Sequence, residues 1–259
     1  MISLRSLLPP QAPRSAFGNL VKDEFRLAWR TRTGLVAGLG LPLLLLVVFG
    51  SLPGAGQPQE SLGDLTVLDV YLPVIIAFSI TALGLVVMPQ ALATYREQGI
   101  LRRLSTTPVP PAWVLGAQMV VNVSLVVLAL LLLMVGAAVG FSVAAPRSLV
   151  GFVLAMLLSI AAIFGIGIVI AAISRGATMA QAIGGALFFP LLFFGGMWLP
   201  RAAMPVVLRD VSNLTPLGAA VEAIQSAMQT GFPPVTSLLV LVAYAVVFWW
   251  LALRVFRWE

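Results

Sequence analysis

The sequence predicts an all-α, polytopic membrane protein with six transmembrane helices and both termini on the cytoplasmic side. Three observations predict this class. Of 259 residues, 60% are hydrophobic and 9% are charged, whereas soluble domains are about 45–50% apolar and about 25% charged. Six apolar stretches have the length of roughly 20 residues that a helix needs to cross a bilayer. The basic residues are also distributed unevenly between the two sides of the membrane.

The composition excludes several classes of chemistry. Without Cys or His, the chain has no thiol chemistry, disulfide, His-ligated metal or imidazole base. The only lysine, Lys22, is not preceded by the glycines of a P-loop, so ATP is not bound by that route. We therefore expect no catalytic residue, metal or cofactor in this chain. The net charge of +6 is expected to record membrane orientation, and no nucleic-acid partner is expected.

Six apolar stretches without Asp, Glu, Lys or Arg are the predicted spans: 35–52, 72–94, 112–141, 149–173, 178–199 and 235–253. Continuous apolarity argues against a membrane β-barrel, whose strands alternate. The third stretch has 30 residues and is expected to tilt or protrude. Pro42, Pro89 and Pro190 lie inside spans and are predicted to kink them, because each removes a backbone donor.

Charge counting predicts the orientation. With both termini inside, only Arg147, Arg201 and Arg209 of the 15 Lys and Arg residues lie outside. The other twelve are cytoplasmic, which is a strong positive-inside bias. The first outer loop, 53–71, has three acids and no basic residue, in agreement with this orientation.

The first 33 residues are predicted to lie outside the six-span domain, 34–259. Residues 1–16 lack the apolar core of a signal peptide and are expected to form a cytoplasmic tail. Residues 17–33 are predicted to be an amphipathic helix in the inner headgroup layer, with its cations facing anionic lipid. A basic flank that only enforces orientation is the alternative. The helix carries an aromatic and aliphatic row beside a basic row: Phe17, Val21, Phe25 and Trp29 with Lys22, Arg26 and Arg30.

The outer segment 200–234 is too polar to span the membrane and too apolar for a free loop. Pro200, Pro205 and Pro216 interrupt it, while residues 217–228 are predicted to be helical. A re-entrant or outer-surface helical hairpin packed on the bundle fits this pattern best. Glu222 is the one acid in that apolar helix. It is interpreted either as an acid that faces water, which we favour, or as a functional polar site near the outer leaflet.

The second inner loop, 95–108, has the pattern of a small docking surface. Ile100, Leu101 and Leu104 would form an apolar patch on a short helix, and Gly99 permits a bend away from the second span. An apolar centre with a charged rim is typical of protein interfaces, although an ordinary juxtamembrane loop is an equal alternative from periodicity alone. The charged rim consists of Arg96, Glu97, Arg102 and Arg103.

Three stretches of the chain resemble the type-2 ABC exporter permeases, the membrane subunits of drug, lipid and polysaccharide exporters. The first is the Arg-Glu-Gln-Gly-Ile-Leu-Arg-Arg-Leu core at 96–104, followed by Thr107-Pro108. The second is Phe-Gly-Gly-Met-Trp-Leu-Pro at 194–200. The third is Leu-Thr-Pro-Leu at 214–217, leading to Ala-Val-Glu-Ala-Ile at 220–224. With the six-span order, the resemblance covers nearly the whole chain.

The resemblance implies an exporter in the plasma or inner membrane of the cell. Two permease subunits, identical or related, would form the pathway, and two copies of a cytoplasmic ATP-binding cassette ATPase subunit would drive it. ATP and Mg would be bound by that partner. Residues 96–104 would be the coupling helix in a cleft of the ATPase, and the helix 17–33 would lie beside it.

Several polar and aromatic residues are candidates for lining the path. Gln118 and Asn122 are four residues apart and share one helix face, and Gln90 lies near the inner end of the second span. Hydrogen bonding between helices is the alternative role for each of them. Phe189 and Phe193 are expected to line an apolar path, pack a dimer interface or face lipid.

An ion-coupled secondary transporter is the alternative function. Such carriers normally place an ionisable group within the membrane, and no predicted span has one. An intramembrane enzyme needs catalytic groups at that depth, which the spans also lack. The sequence thus favours the permease.

Overall fold

The computed structural model describes residues 14–30, 32–62, 64–99 and 112–255, which are overwhelmingly helical. Within these ranges no β-strand is formed apart from an isolated bridge between Gln59 and Leu65. The elements in chain order are α1 (Arg14–Arg30), α2 (Arg32–Leu35), a π-helical segment (Val36–Gly40), α3 (Leu41–Gly50), a 3-10 turn (Glu60–Leu62), α4 (Val67–Thr81), a second π-helical segment (Ala82–Val87), α5 (Met88–Glu97), α6 (Ala112–Phe141), α7 (Leu149–Ile173), α8 (Ala177–Phe194), a 3-10 turn (Arg201–Ala203), α9 (Val206–Leu214), α10 (Pro216–Gln229) and α11 (Val235–Val255).

Among the described residues, five helices are long and apolar enough to cross a membrane: Val67–Glu97, Trp113–Phe141, Leu149–Ile173, Ala177–Phe194 and Val235–Val255. The first predicted span, 35–52, corresponds to a shorter apolar helix, Val36–Gly50. The all-helical class is therefore confirmed, and the chain is a multi-pass membrane protein.

The helix Val67–Glu97 lies at the centre of the bundle. In its most apolar stretch 83% of the helix is buried inside the protein, whereas in the most apolar stretch of Val235–Val255 only 11% is buried. The helices α3, α6, α7, α8 and α10 pack around this central helix. Large apolar side chains on the outer helices are widely exposed, as in Val139 and Leu253. Such surface is stable against lipid, where apolar exposure carries no hydration penalty.

Two of the three predicted kinks, at Pro42 and Pro89, are accommodated by π-helical turns. Val36–Gly40 directly precedes α3, which has Pro42 in its first turn, and Ala82–Val87 directly precedes α5, which has Pro89 in its first turn. Proline cannot bond to the carbonyl four residues earlier and its ring crowds that carbonyl. A locally widened turn removes the conflict. The third proline, Pro190, lies inside α8, which continues through it.

Side chains from other helices bond to carbonyls that the prolines leave without a helical donor. Pro42 frees the carbonyl of Gly38, which accepts a 2.6 Å hydrogen bond from Ser79 Oγ. Pro73, inside α4, frees the carbonyl of Asp69, which accepts a 2.6 Å bond from Gln229 Nε2. Because an unsatisfied carbonyl in hydrocarbon is costly, these bonds also hold the helices together.

The predicted fifth span, 178–199, ends earlier than expected. The helix α8 stops at Phe194, and Gly196 adopts a φ of +92°. The left-handed conformation is available to glycine without a steric cost. The Met197 amide then bonds back to the Leu192 carbonyl at 3.1 Å, which closes the helix and turns the chain toward α9.

The outer segment contains the predicted helix, observed as α10, together with a second helix, α9. Thr215 caps α10 by accepting a 3.1 Å bond from the Gly218 amide. Pro216 occupies the first turn, where its missing N–H has no helical partner to lose. The helix α10 packs against α4, α7 and α11, so this segment is part of the bundle.

The ends of the helices define two faces of the molecule. One face, here called the α1 end, carries α1, the end of α5, the start of α6 and the α7–α8 turn; the other is called the distal end. Basic residues with described side chains lie mostly at the α1 end: Lys22, Arg26, Arg30, Arg96, Arg175 and Arg254. The distal end holds Arg147, Arg201 and Arg209 together with five acids, Glu60, Asp64, Asp69, Asp210 and Glu222.

Candidate functional site at the α1 end

The helix α5 leads directly into the segment predicted to dock a partner. It ends at Glu97, and Gly99 follows with a φ of +66°. The Gly99 amide bonds to the Arg96 carbonyl at 3.0 Å, which is the glycine-terminated helix end expected where the chain bends away. The remaining predicted docking residues lie outside the described residues: Ile100, Leu101, Arg102, Arg103 and Leu104.

Arg96 and Glu97 join the end of α5 to the turn between α7 and α8. Arg96 Nη1 donates to the carbonyls of Ala172 at 3.0 Å and Ser174 at 3.4 Å. Glu97 Oε2 accepts a 3.1 Å bond from the backbone amide of Ala177, the first residue of α8. A cation at a helix C-terminus and a carboxylate at a helix N-terminus both match the helix dipole. We call this arrangement the Arg96–Glu97 clamp.

The helix α1 packs along the start of α6. Phe17 meets Trp113 edge to face, with ring centroids 5.6 Å apart, and Val21 is half-buried. The predicted aromatic and aliphatic row does not stay on one face, since Trp29 is 68% exposed and Phe25 is also exposed. A spacing of four residues advances 400° around a helix, so the row turns by about 40° at each step. The basic residues Lys22, Arg26 and Arg30 are exposed.

A buried carboxylate occupies the inward face of α1. Glu24 is only 7% exposed. Its Oε2 accepts hydrogen bonds from Tyr95 Oη at 2.7 Å and from Gln118 Nε2 at 2.6 Å. Burial raises the pKa of the Glu24 carboxyl, while the two hydrogen bonds oppose that rise. These bonds connect α1, α5 and α6 through one side chain.

The sequence analysis did not single out Glu24 or Tyr95. A signal was present, since Phe17, Glu24 and Ala28 lie seven and eleven residues apart and share one helix face. The row of aromatic and aliphatic residues predicted that a different face of the helix is buried. Only the packing of α1 against α6 decides which face is buried.

Three of the predicted path-lining residues lie around one cavity. Gln90, Gln118 and Asn122 face a cavity of about 310 Å³ between α1, α5 and α6, together with Glu24 and Tyr95. Asn122 Nδ2 donates to the Gln118 side chain at 3.2 Å. The structure thus brings these polar residues to one cavity. Gln118 bonds to another helix through Glu24, whereas the bonds of Asn122 lie within α6.

The two predicted phenylalanines lie elsewhere. Phe189 and Phe193 are exposed on α8 and do not border that cavity. Phe189 lies 6.5 Å from the ring of Trp198, and Phe193 packs edge to face on Phe194 at 5.6 Å. Their exposure agrees with side chains that face lipid or pack at an interface between subunits.

Glu222 at the distal end has a partner that neither interpretation of the sequence included. Its Oε2 accepts a 2.8 Å bond from Arg201 Nη2, and its side chain is 36% exposed. Arg201 is 7% exposed and its Nη1 also donates to Ser212 Oγ at 2.7 Å and to the Gly218 carbonyl at 2.9 Å. The guanidinium also contacts Asn213 Oδ1. Burial lowers the pKa of Arg201, and the Glu222 carboxylate opposes that change.

The comparison with known families agrees with these features. The family described as "ABC-2 type transporter" matches residues 15–229, which include α1, the Arg96–Glu97 clamp and the Arg201–Glu222 pair. No curated protein matches the chain significantly. Members of this family are membrane components that are generally not catalytic themselves and that generally work with ATPase subunits. Since the match covers most of its length, this chain belongs to the ABC-2 type transporter family of ABC transporter permeases.

Proposed function

We propose that the chain is the translocation subunit of an ABC exporter, paired with a second permease subunit and with two copies of a cytoplasmic ATP-binding cassette ATPase. The family match over residues 15–229 carries the proposal. ATP and Mg are bound by the ATPase, and this chain supplies the path and the coupling surface. The α1 end faces the cytoplasm.

The bonding at the α1 end supports a coupling role for residues 96–104. The Arg96–Glu97 clamp ties the start of this segment to the end of α7 and the start of α8. One residue earlier, Tyr95 bonds to Glu24 of α1. A displacement of the segment by an ATPase would therefore act on α1, α5, α7 and α8 together. A loop held only by its own span would move that span alone.

Replacing Leu101 and Leu104 together by Asp is expected to remove the ATPase from the purified complex. Charged groups at the centre of an apolar docking patch cost several kcal/mol of binding, so the co-purified ATPase should fall at least about ten-fold. The full chain is purified from membranes of its native host, and the ATPase is identified by its P-loop peptides in mass spectrometry. Membrane insertion of the variant is measured alongside.

The matched control is Val206→Asp with Val207→Asp, an exposed apolar pair on α9 at the distal end. It should retain the ATPase. The proposal is wrong if the wild-type chain brings down no ATP-binding cassette subunit, or if the Leu101 and Leu104 variant retains it. Transport that persists in energised vesicles depleted of ATP would instead support the ion-coupled carrier.

Single-cysteine labelling is expected to give the orientation directly, since the chain has no native Cys. Gln57 is exposed at the distal end and Arg175 is exposed in the α7–α8 turn. In intact cells an impermeant maleimide should label Gln57→Cys, and Arg175→Cys should react only after permeabilisation. The positive-inside distribution predicts this pattern. The reverse pattern would contradict the proposed orientation.

A further inference from the structure

The cavity beside Glu24 has the size and the position of a ligand site. Its volume of about 310 Å³ lies at the lower end of the range of ligand pockets, about 300–1,000 Å³. It lies between α1, α5 and α6, and the amphipathic helix α1 forms one of its walls. A ligand in the inner leaflet would therefore meet this cavity beside the first element of the chain.

Among the described side chains, a buried acceptor without a donor and a buried carboxylate lie on the wall of this cavity. Asn122 Oδ1 is buried and, among the described residues, has no donor. The Glu24 carboxylate receives two bonds on Oε2, and none of the cationic side chains that the structure describes is paired with it. Buried acceptors without donors are costly. A ligand that carries a cationic N–H donor would bond to Asn122 Oδ1 and supply a counter-charge to Glu24.

The contrast with Glu222 shows what is missing at Glu24. Glu222 is the more exposed of the two carboxylates, yet it has the guanidinium of Arg201 at 2.8 Å. Glu24 is more deeply buried, and its partners among the described side chains are the neutral groups of Tyr95 and Gln118. Buried charges are normally paired, and among the side chains that the structure describes no cation lies on the wall of this cavity.

The rest of the cavity wall combines the polar side chains of Gln90, Thr94 and Gln98 with a larger apolar part. One side is formed by Leu27, Ala28, Val87, Ala91, Val121 and Leu125. Apolar walls with a few convergent polar groups favour ligands of the same make-up. The complementary ligand has one donor-bearing cationic group and an apolar body of modest size.

From this geometry we propose that the cavity between α1, α5 and α6 binds the protonated amino group of an amphiphilic amine, with the ammonium at Glu24 and Asn122 and the apolar part against α5 and α6. A free lipophilic amine and the headgroup of an aminophospholipid present the same group. The inference rests on the proposed function only in treating the bound amine as cargo.

The test compares an amine with an alcohol of the same shape. The full-length chain in nanodiscs of phosphatidylcholine and phosphatidylglycerol is titrated calorimetrically with 4-phenylbutylamine and with 4-phenylbutan-1-ol. The amine should bind at least about ten-fold more tightly, since hydrogen bonds to charged groups are the stronger ones. Glu24→Gln should abolish this preference. Equal affinity of the wild-type chain for the two compounds would overturn the proposal.

Asp23→Asn is the matched control, because Asp23 is adjacent in the same helix and its side chain is 71% exposed. It removes the same formal charge and should leave the preference intact. Ala91→Phe keeps Glu24 and its bonds but fills the cavity, and it should weaken amine binding by a similar factor. If Asp23→Asn and Glu24→Gln reduce the preference equally, general surface charge explains it and the proposal is wrong.

A second arm distinguishes the two sources of the amine. The titration is repeated in nanodiscs that contain phosphatidylethanolamine. Competition that raises the apparent Kd of 4-phenylbutylamine in the wild-type chain, but not in Glu24→Gln, identifies the lipid headgroup as an occupant. Absence of competition identifies a free amine. Because no ATPase is present, failure of this binding test is distinguishable from failure of the proposed partnership.

Discussion

Gly184→Ala is expected to destabilise the protein strongly, whereas Gly185→Ala in the next position should be tolerated. A Cβ at Gly184 would collide with the backbone carbonyl of Leu85 in the second π-helical segment, while a Cβ at Gly185 meets nothing within 4 Å. The obstacle is backbone, so no side-chain rotation relieves it. We expect a loss of about 3 kcal/mol for Gly184→Ala, or roughly 6–12 °C in Tm for a chain of this size.

The control variant, Gly185→Ala, is expected to leave the stability unchanged or to raise it slightly. Alanine in a helix is favoured over glycine by about 1 kcal/mol, so Gly185→Ala should be neutral or slightly stabilising. Gly167→Ala should resemble Gly184→Ala, because a Cβ there would collide with the Gly84 carbonyl. The measurement is Tm in detergent micelles with membrane insertion checked. Equal Tm values for Gly184→Ala and Gly185→Ala would contradict this account of the packing.

Gly167 and Gly184 make room for the second π-helical segment. Pro89 forces the turn before it to widen, and the widened turn projects the carbonyls of Gly84 and Leu85 toward α7 and α8. Glycine at positions 167 and 184 lets those backbones approach closely, as small residues do between membrane helices. The π-helical segment therefore depends on glycine at both positions.

Hydropathy was enough to locate the five long apolar helices, because length and continuous apolarity decide whether a segment can cross a bilayer. The π-helical turns were not predictable from the same pattern. Pro42 and Pro89 indicated a local disturbance, but its form depends on Ser79 and Gly184, which come from other helices. The early end of α8 depends similarly on the φ of Gly196.

The candidate site was predicted in part. Gln118 and Asn122 were placed on one face by their spacing, and the structure puts both at one cavity. Glu24 was not predicted, since α1 also carries Lys22, Asp23 and Arg26, and composition does not tell a buried charge from exposed ones. The role of Arg96 and Glu97 in joining α5 to the α7–α8 turn is a long-range contact with no local signature.

Glu222→Gln is expected to be one of the most destabilising single changes outside the spans. It leaves the Arg201 guanidinium, 7% exposed, without its counter-ion. Breaking a buried pair costs about 3–5 kcal/mol; because Glu222 is itself 36% exposed, we expect a loss of about 3 kcal/mol, at the lower end of that range. Asp210→Asn, which removes an exposed acid from α9, is the matched control and should change Tm little.

A double-mutant cycle separates the pair from the rest of the network. Arg201→Gln also loses the bonds to Ser212 and Gly218, so we expect it to be at least as destabilising as Glu222→Gln. Once Arg201 is neutral, Glu222 has no buried cation to balance, and adding Glu222→Gln should cost less than about 1 kcal/mol. If the two losses simply add, the 2.8 Å contact contributes nothing and the distal end is held by the uncharged hydrogen bonds alone.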